Sequence, residues 1–211
     1  MRSVLLLVLC CTAGSAQPTC PSSPGAALLD AEMCWADYYA RAYGVPLEFV
    51  QAVIDVESAW HPYVISTKGA AGLMQLTAPT AFTFGVTNRF RIEENIRGGV
   101  AYLAYLSRQF EGELRLVAAA YYAGEQRIKK RGLTCADADI YRYVCLVQRF
   151  YSRRQMVAKT TARYTMRAME RLIDEKQIRF AGVSNFDVPH AEAAKGALRH
   201  HKLAANRCSI T

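Results

Sequence analysis

No apolar run in this 211-residue chain approaches the ~20 residues that a membrane-spanning helix needs. The run Val4 to Cys11 covers roughly eight, so no integral association with a membrane is expected. Histidine is scarce: His61, His190, His200 and His201 are the whole set, and none stands beside a cysteine pair at metal-ligand spacing. A zinc site is therefore not expected, and no cofactor is called for. Acidic side chains are outnumbered, 18 against 26 Lys and Arg, and the net charge of +8 favours an acidic polymer or surface as partner without saying which. Neither an internal repeat nor a low-complexity tract beyond the first residues is present, which excludes solenoids and arrays.

What is present suits one globular domain with an appendage, since 52% of the residues are hydrophobic and 21% charged. Residues 1–16 read as an export signal: Arg2, the apolar run, then small residues with Gly14 and Ala16 where a signal peptidase reads them. The expected location is periplasmic or secreted. Residues 17–26 read as a loose leader rich in Pro, Ser and Gly. Five cysteines follow the signal, Cys20, Cys34, Cys135, Cys145 and Cys208. The shortest loops pair Cys20 with Cys34 and Cys135 with Cys145, leaving one thiol over.

Helical periodicity dominates the next stretch. Ala27 to Tyr43 carries Leu28, Leu29, Trp35, Tyr38, Tyr39 and Tyr43, and Gly44 stands where a left-handed cap belongs. Pro46 suits the first turn of a second helix. Between Trp60 and Gly72 a proline and two glycines, Gly69 and Gly72, predict irregular backbone, and a cleft is expected to open there. A brief helix should reach Phe84, a longer one runs from Asn95 to Gly112, a third spans Glu113 to Ala123, and a last one covers about 138–153.

Glu57 is the residue that stands out. Val50, Val53, Ile54 and Glu57 recur three and four apart, so a helix aligns the carboxylate with an apolar face. A carboxyl held there either finds a partner or keeps its proton more tightly than in water. The second outcome is what a general acid requires.

With Glu57-Ser58, Gly72-Leu73-Met74-Gln75-Leu76, Asn95-Ile96 with Gly98, Tyr102 and Leu103, and Ala120-Tyr121-Tyr122-Ala123-Gly124 in this order, the chain resembles the soluble lytic transglycosylases of the lysozyme-like superfamily from about 45 to 150. The resemblance implies a mainly α fold, helices around a substrate cleft with minimal β structure, over residues 27–155. It implies cleavage of the β-1,4 bond between N-acetylmuramic acid and N-acetylglucosamine in peptidoglycan glycan strands. One carboxyl, Glu57, would protonate the glycosidic oxygen and then deprotonate the muramoyl 6-hydroxyl, closing a 1,6-anhydro ring. A hydrolase usually needs a second carboxylate. Asp55 points to another side of the helix, Glu93 and Glu94 read as first-turn charges, and Glu125 follows a helix-ending glycine.

By the same resemblance Ser58 would bond near the acid or the sugar, or else bond a backbone carbonyl at its helix end. Gln75 would bind an N-acetyl or hydroxyl group, and Met74 would form apolar cleft wall or ordinary packing. Tyr121 would sit beside the acid, or serve as a core aromatic. Tyr122 stands where the family usually has Asn, which replaces an amide by a phenol able to stack on or bond a sugar. Tyr143 would face the acid, with Tyr141 as a competing register. The implied role is local wall opening beside a secretion, pilus or conjugation apparatus. Two alternatives stay open, a lysozyme-like hydrolase and a catalytically silent wall-binding or assembly protein.

The tail has another character. Met169 to Arg179 followed by Ala181-Gly182-Val183-Ser184-Asn185-Phe186 resembles a fragment of the aldo/keto reductases, so residues 156–211 are expected to form a short α/β-like appendage. A barrel needs eight such units, so no reductase activity is expected. Nine Lys or Arg against three acids between Arg149 and Arg179 read as a solvated helix face, and no nucleic acid is expected as a partner.

Overall fold

The computed structural model describes residue 20 and residues 28–133, 137–184, 188–202 and 206–207. The export signal and nearly all of the leader lie outside the described residues. The chain divides into a unit covering Gln17–Arg153 and a second that takes in the residues from Arg154 onward.

The first unit is helical. Helix α1 (Leu28–Tyr43) ends at Gly44, whose φ of +68° is the left-handed turn expected of a glycine cap. Val45 N–H then bonds Ala40 O at 2.9 Å. Helix α2 (Leu47–Glu57) follows, with Pro46 as its N-cap and its carbonyl accepting from Phe49 and Val50. Next come α3 (Ala78–Thr83), α4 (Ile92–Gln109), α5 (Leu114–Ala123) and α6 (Glu125–Arg131), and then α7 (Ala138–Asp174), whose residues are shared between the two units. Thr77 caps α3 by accepting from Thr80 N–H, with proline in its first turn.

Val50, Val53 and Ile54 of α2 are fully buried, as their spacing predicts, in one core with Leu73, Ile96 and Leu103. Burying a side chain of this size is worth about 1.5–3 kcal/mol, so these residues anchor α2 in the core that it shares with α4. Close approach is built in at Gly99, where a Cβ would collide with the sulfur of Met74. Gly72 has a similar reason: its φ is +81°, and a Cβ would run into Arg89 O and the Asn95 amide. Cys20 and Cys34 form a disulfide, as the short loop suggests. The second expected pair is corrected, because Cys145 is an exposed free thiol and Cys135 lies outside the described residues.

Two helices differ from the sequence reading. α6 was not expected: its seven residues contain only Ile128 as a buried apolar anchor, too few for periodicity to register. α7 continues twenty-one residues past the expected end near 153 to Asp174, because Ala162, Met166 and Met169 re-establish a buried stripe after a stretch rich in Arg.

In the second unit the later part of α7 packs through Met166 and Met169 onto Ile178, Ala181, Ala194 and Ala197. Strand β1 (Val183–Ser184), helix α8 (Val188–Ala197) and strand β2 (Asn206–Arg207) follow, and the two strands pair in parallel. This is the α/β-like character expected of the appendage, reduced to two residues per strand.

Candidate active site

The end of α2 makes the site. Ser58 caps the helix, and the next two residues, Ala59 and Trp60, take left-handed φ values of +48° and +64°. Such conformations are uncommon for residues with side chains and must be held by their surroundings. Trp60 Nε1 donates to Asp55 Oδ1 at 2.7 Å, which anchors the turn. The chain thus leaves the helix abruptly after Glu57, and that residue is partly buried at the helix end.

Burial pushes Glu57 up to about 7 from a carboxyl's ordinary 4.5, against a lowering effect from the Tyr143 phenol. That phenol, reaching across from α7, donates to Glu57 Oε1 at 2.6 Å. The Tyr143 ring is buried, and burial together with the nearby Glu57 charge raises its own pKa well above the phenol value. Tyr143 therefore stays a proton donor. Tyr141, the competing register, is exposed. Tyr121 of α5 also feels the Glu57 charge after the larger effect of burial, and its hydroxyl donates to Met74 O at 2.7 Å. Tyr122 lies flat against Tyr143, with centroids 4.7 Å apart and planes 22° apart.

Met74 requires a correction. Its side chain is fully buried against Gly99, so it is core and not open wall; its carbonyl instead seats Tyr121. Gln75 takes a φ of +46° and spends its amide nitrogen on Val64 O at 3.0 Å and Gly72 O at 2.8 Å. Its amide oxygen takes part in neither bond. Ser58 is buried and its hydroxyl donates to Ile54 O at 3.4 Å, the backbone alternative of the two readings.

Two residues escaped the sequence reading. Asn95, 1% exposed, accepts from Met74 N–H at 2.7 Å and donates to Ala71 O and Arg89 O, tying the 71–76 loop to α4. Its place in the Asn95-Ile96 motif was visible, but nothing in the sequence names three backbone partners. Glu32 on α1 is also raised to about 7 by burial, yet at 1% exposure it is sealed from any substrate.

The four carboxylates that could serve as a second catalytic group are each bonded. Glu93 accepts from Tyr39 at 3.0 Å. Glu94 accepts from the backbone of Asn88 and from Thr87, which hold it down at about 2. Glu125 is bound by Lys129 and Tyr105, and Asp55 by Trp60. Glu57 is left as the accessible carboxyl that holds its proton near neutral pH, able to give it up and take it back.

A helical unit that closes around one buried carboxyl near two phenols is expected of the lysozyme-like folds, and the solved structures agree. The lytic transglycosylase Slt of Pseudomonas aeruginosa, as an inactive mutant, superposes with a TM-score of 0.50 at 27% identity, covering 55% of this chain and 22% of that one. The 70 kDa soluble lytic transglycosylase of Escherichia coli gives 0.50 at 26%, covering 59% and 25%.

Residues 34–144, more than half of the chain, match the transglycosylase SLT domain, and the chain belongs to that family. Among curated relatives, the membrane-bound lytic murein transglycosylase F of Desulfosudis oleivorans is 47% identical over 72 residues, 34% of this chain and 16% of the relative. Its namesake in Pseudomonas savastanoi is 38% identical over 96 residues, 43% of this chain and 19% of the relative. The chain thus spans less than a fifth of the length of either curated relative. The family match stops before the tail and lends no support to the reductase resemblance.

Proposed function

We propose that the protein is a peptidoglycan lytic transglycosylase in which Glu57 is both acid and base. The observation that carries this reading is the state of Glu57: burial keeps its proton to about pH 7, while Tyr143 at 2.6 Å stabilises the carboxylate once the proton is gone. The first step breaks the bond between muramoyl C1 and the glycosidic oxygen, and the proton from Glu57 goes to that oxygen. In the second, the Glu57 carboxylate takes the proton of the muramoyl 6-hydroxyl as its oxygen bonds C1. The ring closes as a 1,6-anhydro sugar, the acid is restored and no water is consumed. Hydrolysis by a second carboxylate is disfavoured because Asp55, Glu93, Glu94 and Glu125 are each held by a partner.

In this reading Tyr121, Tyr122, Tyr143, Gln75 and Ser58 serve as binding and supporting groups; Tyr122, with 45% of its surface exposed, offers a ring to a sugar face. Export and local wall opening beside a secretion, pilus or conjugation apparatus complete the reading, with support from the amino-terminal sequence and the family resemblance. The appendage is read as a non-functional remnant. The test is digestion of purified sacculi followed by mass spectrometry of the fragments: anhydro ends are expected, and reducing ends in their place would assign a hydrolase.

A further inference from the structure

Beyond Glu57, the position of one ring is unexplained by substrate binding alone. Tyr122 and Tyr121 are consecutive on α5, yet they do different things. Tyr121 reaches Met74 O through its hydroxyl, whereas Tyr122 lays its ring on Tyr143 at 4.7 Å and 22°. Tyr143 in turn is the group that donates to Glu57. A phenol oxygen lies on the axis about which the ring turns, so its place follows the first side-chain torsion while its O–H bond prefers the ring plane; a neighbour stacked on the ring face limits both. Stacked aromatic pairs at this separation are favourable beyond the area they bury, so Tyr122 restrains that plane.

We propose that Tyr122 is a positioning residue that acts through Tyr143, clamping its ring from α5 so that the hydroxyl stays directed at Glu57. The chain of contacts is short: Tyr122 stacks, Tyr143 donates, Glu57 accepts. Among the described residues the titratable groups that act on Glu57 or sense its charge are Tyr143 from α7 and Tyr121 from α5, and Tyr121 is tied elsewhere by its bond to Met74 O. The clamp therefore works on the one hydrogen-bond donor to Glu57 among the described residues. This inference deepens the proposed acid–base role, but its test does not depend on turnover.

The experiment is a carboxyl-carbon NMR titration of Glu57 in the full chain, for the native protein, Tyr122→Phe and Tyr122→Ala, each repeated in a Tyr143→Phe background. Tyr122→Phe keeps a ring and should hold the native midpoint. Tyr122→Ala frees the Tyr143 plane and weakens a bond that favours the carboxylate, so the midpoint should rise by about half a unit to one unit. With Tyr143→Phe already in place, the same change should move it little. A fall in the midpoint on Tyr122→Ala would mean that Tyr122 excludes water rather than clamps, and would overturn the proposal. So would an unchanged midpoint, or an equal rise in both backgrounds. Muropeptide release by the native protein, scored separately, decides the proposed activity, so failure of one reading does not mask failure of the other.

Discussion

Replacing Tyr143 with Phe removes a single oxygen and should change how Glu57 works in a predictable direction. The phenol donates at 2.6 Å to a carboxyl that burial already holds at about 7, and its effect is to lower that value. A hydrogen bond to a charged acceptor contributes about 1.5–3 kcal/mol, and one unit of pKa corresponds to about 1.4 kcal/mol, so the bond accounts for about one to two units. Without it, Glu57 should titrate near ~8 to ~9. A general acid loses activity as pH rises through its pKa, so the alkaline limb of the pH profile should move upward by the same amount. A weaker acid also transfers its proton less readily, and kcat on the plateau should fall by about three- to tenfold. Turbidity clearance of purified sacculi from pH 5 to 10, for native protein and variant, measures both. An alkaline limb that stays in place or moves down would refute the assignment of Tyr143 as the donor that stabilises the carboxylate.

Glu57→Gln should stabilise the fold in a pH-dependent way. The folded-state pKa is raised from 4.5 to about 7, so the folded form binds the extra proton between those values and stability falls as pH rises through that window. Removing the carboxyl should therefore gain up to about 3 kcal/mol above pH 7 and little below pH 4, as read by urea denaturation at both values. Asn95→Ala leaves Met74 N–H and Arg89 O without their Asn95 partner, while Ala71 O keeps Leu76 N–H, and should cost on the order of 2–3 kcal/mol in the same assay, with activity falling as the 71–76 loop loosens. Reducing Cys20–Cys34, which closes a loop of 14 residues, should lower stability by about 3 kcal/mol without moving the Glu57 titration.

The helices that position the site were legible because their caps and apolar spacing agree: Gly44, Pro46 and the Val50, Val53, Ile54 stripe place α2, and Glu57 follows from the same period. Its partner was legible only through resemblance, since Tyr143 lies 86 residues away and no local pattern links it to the acid. Met74 shows the opposite limit. The resemblance implies a cleft wall, with ordinary packing as the alternative, and the missing side chain at Gly99 opens a space in the core that Met74 fills. The same holds for Asn95, whose three bonds depend on where two loops pass, and for α7, where Arg-rich sequence hides a helix that resumes its buried stripe in another unit.

The most direct measurement is digestion of purified sacculi in 18O-labelled water by the native protein and by Glu57→Gln side by side, with mass spectrometry of the released muropeptides. A single carboxyl that lends its proton and takes it back predicts unlabelled 1,6-anhydro ends from the native protein and no release from the variant. Labelled reducing ends, or anhydro ends that persist without Glu57, would contradict it.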